Sequence, residues 1–278
     1  MTRIVCAGLA TRDTIWRVPV HPPEDGRVVA SEVHVAGGGP AATAAVAISR
    51  LGVAAAFVGA VGDDEAGAFV REGLAQEGVD ISALAVVPGA TTAQSAILVG
   101  PNGARSIVHH PGTATLVRAE LPPNAAWLHV DHVGYGIVAR SPTSAPVSVD
   151  GGNAIDGLDL HRVALYAPTE EMLRAEFGDA QGALAAGAGL VVVTRGAGGS
   201  VAASRDGVVA APGVPCDDLV STLGAGDVFH GALLAFLSRD ETVKAALRAA
   251  NTVASLSCRA LDGRSAIPTR DELEEHLR

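Results

Sequence analysis

The chain has 278 residues, 48% hydrophobic but only 3% aromatic, and carries a formal net charge of −10. Its length suits one large domain with a small appendage, and its acidic balance argues against nucleic acid, which needs a basic face to displace phosphate counterions. Lysine occurs once, as Lys244 after Val243, so a P-loop phosphotransferase, whose lysine follows a glycine loop, is excluded.

In chain order, residues 3–9 predict a buried strand, 41–51 a helix preceded by glycines, 54–61 a strand, and 66–77 a helix stopped by Gly78. Further on, 127–130, 147–149 and 163–166 predict strands, 169–177 and 180–187 helices, and 190–194 a strand. Strand alternating with helix implies a parallel sheet covered on both faces. Two regions break the alternation: 14–20 with 28–35, and 93–99 with 105–109, the latter joined by Gly100-Pro101-Asn102-Gly103. They predict a small antiparallel sheet, roughly 14–35 plus 93–110, placed to act as a lid or a dimer surface. Cys6, Cys216 and Cys258 are odd in number and far apart, as expected of reduced core residues. The N-terminal apolar stretch is too short for a secretory signal, and residues 40–62 are interrupted by Arg50. A cytoplasmic protein without a membrane span is expected.

The stretch from Ser221 to Leu234 carries the strongest chemical signal. Gly224-Ala225-Gly226 opens an apolar helical run, so consecutive backbone N–H groups converge at a positive helix end and form an anion hole that needs no lysine. Asp227 sits in that first turn, as a capping residue or as a chemical group. Gly37-Gly38-Gly39 before Pro40 opens a second helix and lets a ligand hydroxyl approach the backbone. A Rossmann dehydrogenase needs a glycine fingerprint that Gly8-Leu9-Ala10 does not supply. A zinc enzyme needs clustered ligands, and the nine histidines are scattered along the chain.

Together, residues 37–52 (GGGPAATAAVAISRLG) and 224–232 (GAGDVFHGA) resemble the two signatures of the ribokinase (PfkB) family of carbohydrate kinases. VGDDEAG at 61–67, VTRGAGG at 193–199 and DGRSAIP at 262–268 follow in the family's order, so the resemblance covers essentially the whole chain. It implies a ribokinase-like αβα sandwich with a small antiparallel β-lid, and ATP with Mg2+ as cofactors; the exposed lid strands themselves suggest pairing into a homodimer. Asp227 would be the catalytic base, with Gly224, Ala225 and Gly226 as the anion hole. Asp13, Gly37, Gly38, Gly39 and Thr43 would bind the sugar, Thr43 standing in place of a common Asn. Thr194, Gly196, Gly199 and Asn251 would hold the nucleotide. Glu170 would organise magnesium-bound water, although Ala167 replaces the usual Asn three residues before it. Ser221 replaces an Asp that helps to hold a monovalent cation. In wording the motifs are closest to sulfofructose kinases, for which Arg27, His109 and His110 could supply sulfonate donors. Asp131-His132-Val133 stands where an arginine is expected.

The implied reaction is transfer of the γ-phosphoryl group of ATP to a sugar hydroxyl, expected to be the primary hydroxyl of a ketose or sulfofructose-like substrate. A nucleoside kinase, or an idle sugar- or nucleotide-binding module on the same fold, is the alternative. Asp227 is expected to have an ordinary carboxylate pKa of about 4 and to stay ionised at neutral pH.

Overall fold

The computed structural model describes residues 3–116, 119, 121–122 and 124–276. The chain begins with β1 (Arg3–Ala7), β2 (Thr11–Arg17), β3 (Glu32–Gly38), α1 (Pro40–Arg50), β4 (Ala54–Gly62), α2 (Glu65–Gln76) and β5 (Asp80–Val87). Then come β6 (Gln94–Val99), β7 (Arg105–His110), β8 (Trp127–Val130), α3 (His132–Val138), β9 (Val147–Gly151), β10 (Leu165–Pro168), α4 (Glu170–Phe177) and α5 (Ala180–Ala185). The last elements are β11 (Leu190–Thr194), β12 (Ser200–Ser204), β13 (Gly207–Ala211), α6 (Ala225–Leu237), α7 (Val243–Ser257) and α8 (Arg270–His276).

Nine strands form one sheet in the order β13-β12-β11-β10-β9-β8-β1-β4-β5. Its pairings are parallel from β11 to β5, and antiparallel only where β12 and β13 close one edge. Side-chain alternation sends Ile4 and Cys6 to one face and Val5 and Ala7 to the other, all fully buried. The first face packs on α1, α2, α6 and α7 through Ile48, Leu74, Leu233 and Leu247, and the second on α3 and α5 through Tyr135 and Leu184. The αβα sandwich expected from the sequence is therefore present. Small residues explain how it closes without aromatics. A Cβ on Gly231 of α6 would stand 2.5 Å from the Ala44 carbonyl oxygen of α1, so these two helices cross backbone against backbone.

The second sheet has the order β3-β2-β6-β7. Its two hairpins are antiparallel as expected, and the two are joined by a parallel β2–β6 pairing. Predicted strands 14–20 and 28–35 are corrected to Thr11–Arg17 and Glu32–Gly38. The reason is alternation: Thr11, Asp13 and Ile15 all point inward and are buried, which extends β2 towards β1. Asp13 thus lies inside a strand rather than in a turn, and Gly37 and Gly38 end β3.

In the main sheet β1 has β4 on one side and β8 on the other, so the chain reverses direction of travel there. Open α/β sheets bind ligands outside the carboxyl ends of their strands at such a point. Asp131, Asp150, Glu170 and Thr194 stand at or just past the carboxyl ends of β8, β9, β10 and β11.

Candidate active site

α6 begins at Gly224, whose φ of 72° is left-handed and whose position has no capping side chain. A Cβ there would come within 3.0 Å of the Gly263 Cα, so glycine is required by conformation and by space. The first helical bond is made by the Val228 N–H to the Gly224 carbonyl at 2.9 Å. Among the described residues the N–H groups of Gly226 and Asp227 have no acceptor. Two free N–H groups thus open a helix spanning 13 residues, whose dipole adds positive potential there.

Beside this turn lies a pocket of about 520 Å³, lined by Ala225, Gly226, Thr194, Gly196, Gly199 and Asn251. Six predicted residues from three elements and one loop are thus brought together, in a volume suited to a small-molecule ligand. Val214, Pro215, Phe229 and Ala254 supply its apolar walls. Asn251 is buried, and its amide donates to the carbonyls of Ala211 (3.2 Å) and Pro212 (2.9 Å). It therefore holds the wall in shape. Glu170 opens α4 beside the Thr169–Thr194 bridge, 3.8 Å from the Arg195 Nε and 4.0 Å from Arg174. Magnesium keeps several waters and binds through one or two carboxylates plus substrate phosphates. Glu170 is half-exposed but shared with two arginines, so magnesium held there would have to compete with them for the carboxylate.

A second polar cluster is built on β2 and β3. Asp13 is buried, and its Oδ1 has no partner among the described residues. A Cβ on Gly38 would collide with the Asp13 carboxylate, and one on Gly37 with the Arg264 guanidinium. Gly39, at φ 92°, precedes Pro40 at the start of α1 and leaves no room for a side chain against the Leu9 carbonyl. The glycine run is a floor that two charged groups cross. Arg264 is buried, donating from Nη2 to the Gly38 carbonyl at 2.7 Å and from Nε to the Thr43 hydroxyl at 3.1 Å. Asp262 holds the loop by accepting from the N–H groups of Arg264 and Ser265, both at 2.7 Å. Arg50 ties it from outside through the carbonyls of Arg264 and Ile267. Burial lowers Arg264 to about 10, which leaves it charged at neutral pH. Asp13 is raised by burial, opposed by the neighbouring hydroxyl dipoles of Thr11 and Ser95 and by the charges of Arg264 and His109. His109 lies 3.3 Å from the Ser95 hydroxyl and is lowered below the ordinary imidazole value, chiefly by burial. Arg27 sits in the exposed connector between β2 and β3, with no hydrogen bond or ion pair to the other candidates among the described residues. Thr43 is occupied by Arg264, and Ser221 Oγ accepts from the Leu223 N–H at 3.1 Å.

Asp227 lies between the two halves, half-buried in the first turn of α6. The expectation of an ordinary pKa is corrected: its pKa is raised to about 7, first by burial and then by the negative charge of Asp150, against the opposing influence of His230 and Arg105. Were Asp227 to take the acceptor proton, it would have to be unprotonated, and activity would be lost as pH falls through this value. We expect kcat/KM to fall tenfold per pH unit below about 7, rather than below about 4. A steady-state pH profile at saturating Mg-ATP checks this; a plateau down to pH 5 would contradict it.

Sequence reasoning missed Arg264, which it had read only as part of a closing motif. It also missed the role of Asp131, a buried carboxylate that accepts from the N–H groups of Leu9 (2.8 Å), Ala41 (3.2 Å), Val133 and Gly134 (both 2.9 Å). Asp131 is the knot joining the exits of β1 and β8 to the start of α1, which explains an acid where an arginine was expected.

A carboxylate in the first turn of a helix, free N–H groups beside it, a pocket of small-molecule size and a buried polar cleft are the parts that an ATP-dependent phosphotransferase acting on an alcohol group requires. The pfkB family carbohydrate kinase model matches residues 1–144 and 167–270, and the chain belongs to that family. It is 29% identical to an ATP-dependent ribose-1-phosphate kinase from Halopiger xanaduensis, over 100% of this chain and 98% of that protein. It is 30% identical to a Klebsiella pneumoniae fructokinase, over 86% and 91%. The solved ribokinase from Thermotoga maritima superposes with a TM-score of 0.85 at 22% identity, covering 100% of this chain and 99% of that one. ATP and Mg2+ are the cofactors of this kinase, and no helix among the described residues is long and apolar enough to cross a membrane.

Proposed function

We propose that this kinase phosphorylates the free primary hydroxyl of a ketose or its sulfonated analogue, with Asp227 taking the hydroxyl proton. The observation that carries this reading is the cleft bounded by Asp13 and Arg264 over Gly37 and Gly38, next to Asp227. Asp13 offers a carboxylate oxygen without a protein partner, suited to a pair of sugar hydroxyls. Arg264, with Arg105 and His109 on the same inward face of the small sheet, gives that cleft a positive side. The sugar sits against the glycine floor, its hydroxyl near Asp227, while Gly226 and Asp227 N–H groups receive the transferring phosphoryl oxygens. Such oriented donors contribute on the order of 3 kcal/mol each in other enzymes. Glu170, Thr194, Gly196, Gly199 and Asn251 serve the nucleotide side. The small sheet acts as a lid: Arg105 donates to the Thr222 hydroxyl at 3.1 Å and His34 lies 3.2 Å from Asp262, so closure over the cleft excludes water.

The outer face of that sheet carries Val33 and Val108, 60% and 74% exposed, around the half-buried Trp16 and Leu98. We infer that it pairs two copies of the chain into a homodimer, which works in the cytoplasm. Val108→Glu should halve the mass measured by light scattering; an unchanged mass would count against the pairing.

The test of function is ADP release from Mg-ATP with ketoses, sulfofructose, aldopentoses, sugar phosphates and nucleosides. A ketose- or sulfofructose-dependent signal is expected. Turnover confined to nucleosides or ribose 1-phosphate would overturn the acceptor class.

A further inference from the structure

The histidines that are scattered in sequence are not all scattered in space. Alternation along β8 turns Leu128 and Val130 to one face of the sheet and His129 to the other. Along β9, Val147 and Val149 take that first face, and Ser148 and Asp150 share the second with His129. α6 lies over the second face and brings His230 down onto them. His129, Asp150 and His230 are 0%, 5% and 6% exposed, and one donor atom from each lies within 4.8 Å of the other two.

This polar group is buried without being satisfied. His129 Nε2 and His230 Nε2 have no hydrogen-bond partner among the described residues. His230 Nδ1 stands 3.2 Å from Asp150 Oδ2 but is not aligned as a hydrogen bond. Leaving such atoms unpaired costs about 1–3 kcal/mol each, so three together call for a partner. The imidazole rings are 5.9 Å apart and tilted by 59°, converging rather than stacked.

We propose that His129, Asp150 and His230 form a binding site for a first-row divalent transition metal such as zinc, separate from the magnesium that accompanies ATP. Two imidazoles and a carboxylate are the donor set of such ions, with a further position left for water. Magnesium prefers oxygen donors throughout and is a poor match. The support behind the ligands is in place: the His129 Nδ1 is 3.2 Å from the Ser148 hydroxyl, and Asp150 Oδ1 accepts from the Gly152 N–H at 2.8 Å. These contacts leave His129 Nε2 and Asp150 Oδ2 as the donors. Drawing the widest pair onto an ion about 2.1 Å from each donor takes a small turn of the His230 ring, which no hydrogen bond restrains. A cation here would pin α6 to β8 and β9 beneath the catalytic turn.

The test uses the full-length protein stripped with chelator, titrated with Zn2+ by calorimetry and with Co2+ by visible absorption. One ion per chain is expected, with ligand-field bands for cobalt and a melting temperature that rises with zinc. His129→Gln and His230→Gln should each weaken binding by at least about 100-fold, and Ser148→Ala by about 10-fold. His276→Gln, an exposed control, should change nothing. Absence of stoichiometric binding, or equal affinity in His129→Gln, Ser148→Ala and the wild type, would overturn the site. None of these readouts uses turnover, so they are independent of the acceptor assignment.

Discussion

Asp227→Asn should lower kcat by about 10²–10⁴-fold, the range spanned by a positioned general base, while ATP and sugar still bind. Asn keeps the size and the first-turn position but cannot accept the proton. The same variant should be more heat-stable than wild type at pH 8, by a margin that narrows as pH falls from 7 to 4 and vanishes near pH 3. The sign follows from the raised pKa: between the unfolded value near 4 and the folded value near 7, folding takes up a proton. Stability contributed by the protonated group is fully present below about pH 4 and is lost as pH rises from there through 7, above which an ionised carboxylate is left facing Asp150. Asn removes that penalty. Calorimetric scans at the two pH values, beside initial rates, check both halves. A variant with near-normal kcat would remove Asp227 from the chemistry.

Arg264→Met should abolish measurable turnover at ordinary sugar concentrations and destabilise the fold by about 3–5 kcal/mol, from two buried hydrogen bonds of a charged donor worth about 1.5–3 kcal/mol each. Asp13 would lose a counter-charge in a desolvated position, and the Gly38 carbonyl and Thr43 hydroxyl would lose their donor. For a chain of this size each kcal/mol moves the melting temperature by roughly 2–4 °C, so a drop of about 10 °C is expected. Because lost activity could follow from lost structure alone, Thr43→Val is the sharper companion. It removes only the hydroxyl that holds the guanidinium, and should raise the sugar KM several-fold while leaving the ATP KM unchanged. Equal effects on both constants would place Arg264 in the scaffold only.

Much of this was legible in the sequence because it rests on local backbone demands. A left-handed Gly224 opening a helix, a glycine run before Pro40 and the alternation of apolar strands with alanine-rich helices each leave a mark within a few adjacent residues. Six of the residues around the nucleotide pocket were named on that basis together with the family resemblance. What was not legible depends on contacts across the chain. Arg264 meets Gly38 over a separation of 226 residues, and nothing near either residue announces the other. Asp131 read as a departure from the family because its four N–H partners come from three different segments. A signal for His129 and Asp150 did exist: period-two alternation in WLHVD and VSVDG puts polar groups on a core face. It was hidden because His230 reaches them only through helix-on-sheet packing. The raised pKa of Asp227 has the same origin, since burial and the Asp150 charge are properties of the assembled site.

The most direct test of the central claim is phosphorus NMR of the product formed from Mg-ATP and the best acceptor of the panel. A phosphomonoester signal coupled to the protons of a CH2 group is predicted for the wild type, and no such signal over the same interval for Asp227→Asn. Inorganic phosphate as the only new species, or an ester signal of equal size from the variant, would contradict base-assisted transfer to a primary sugar hydroxyl.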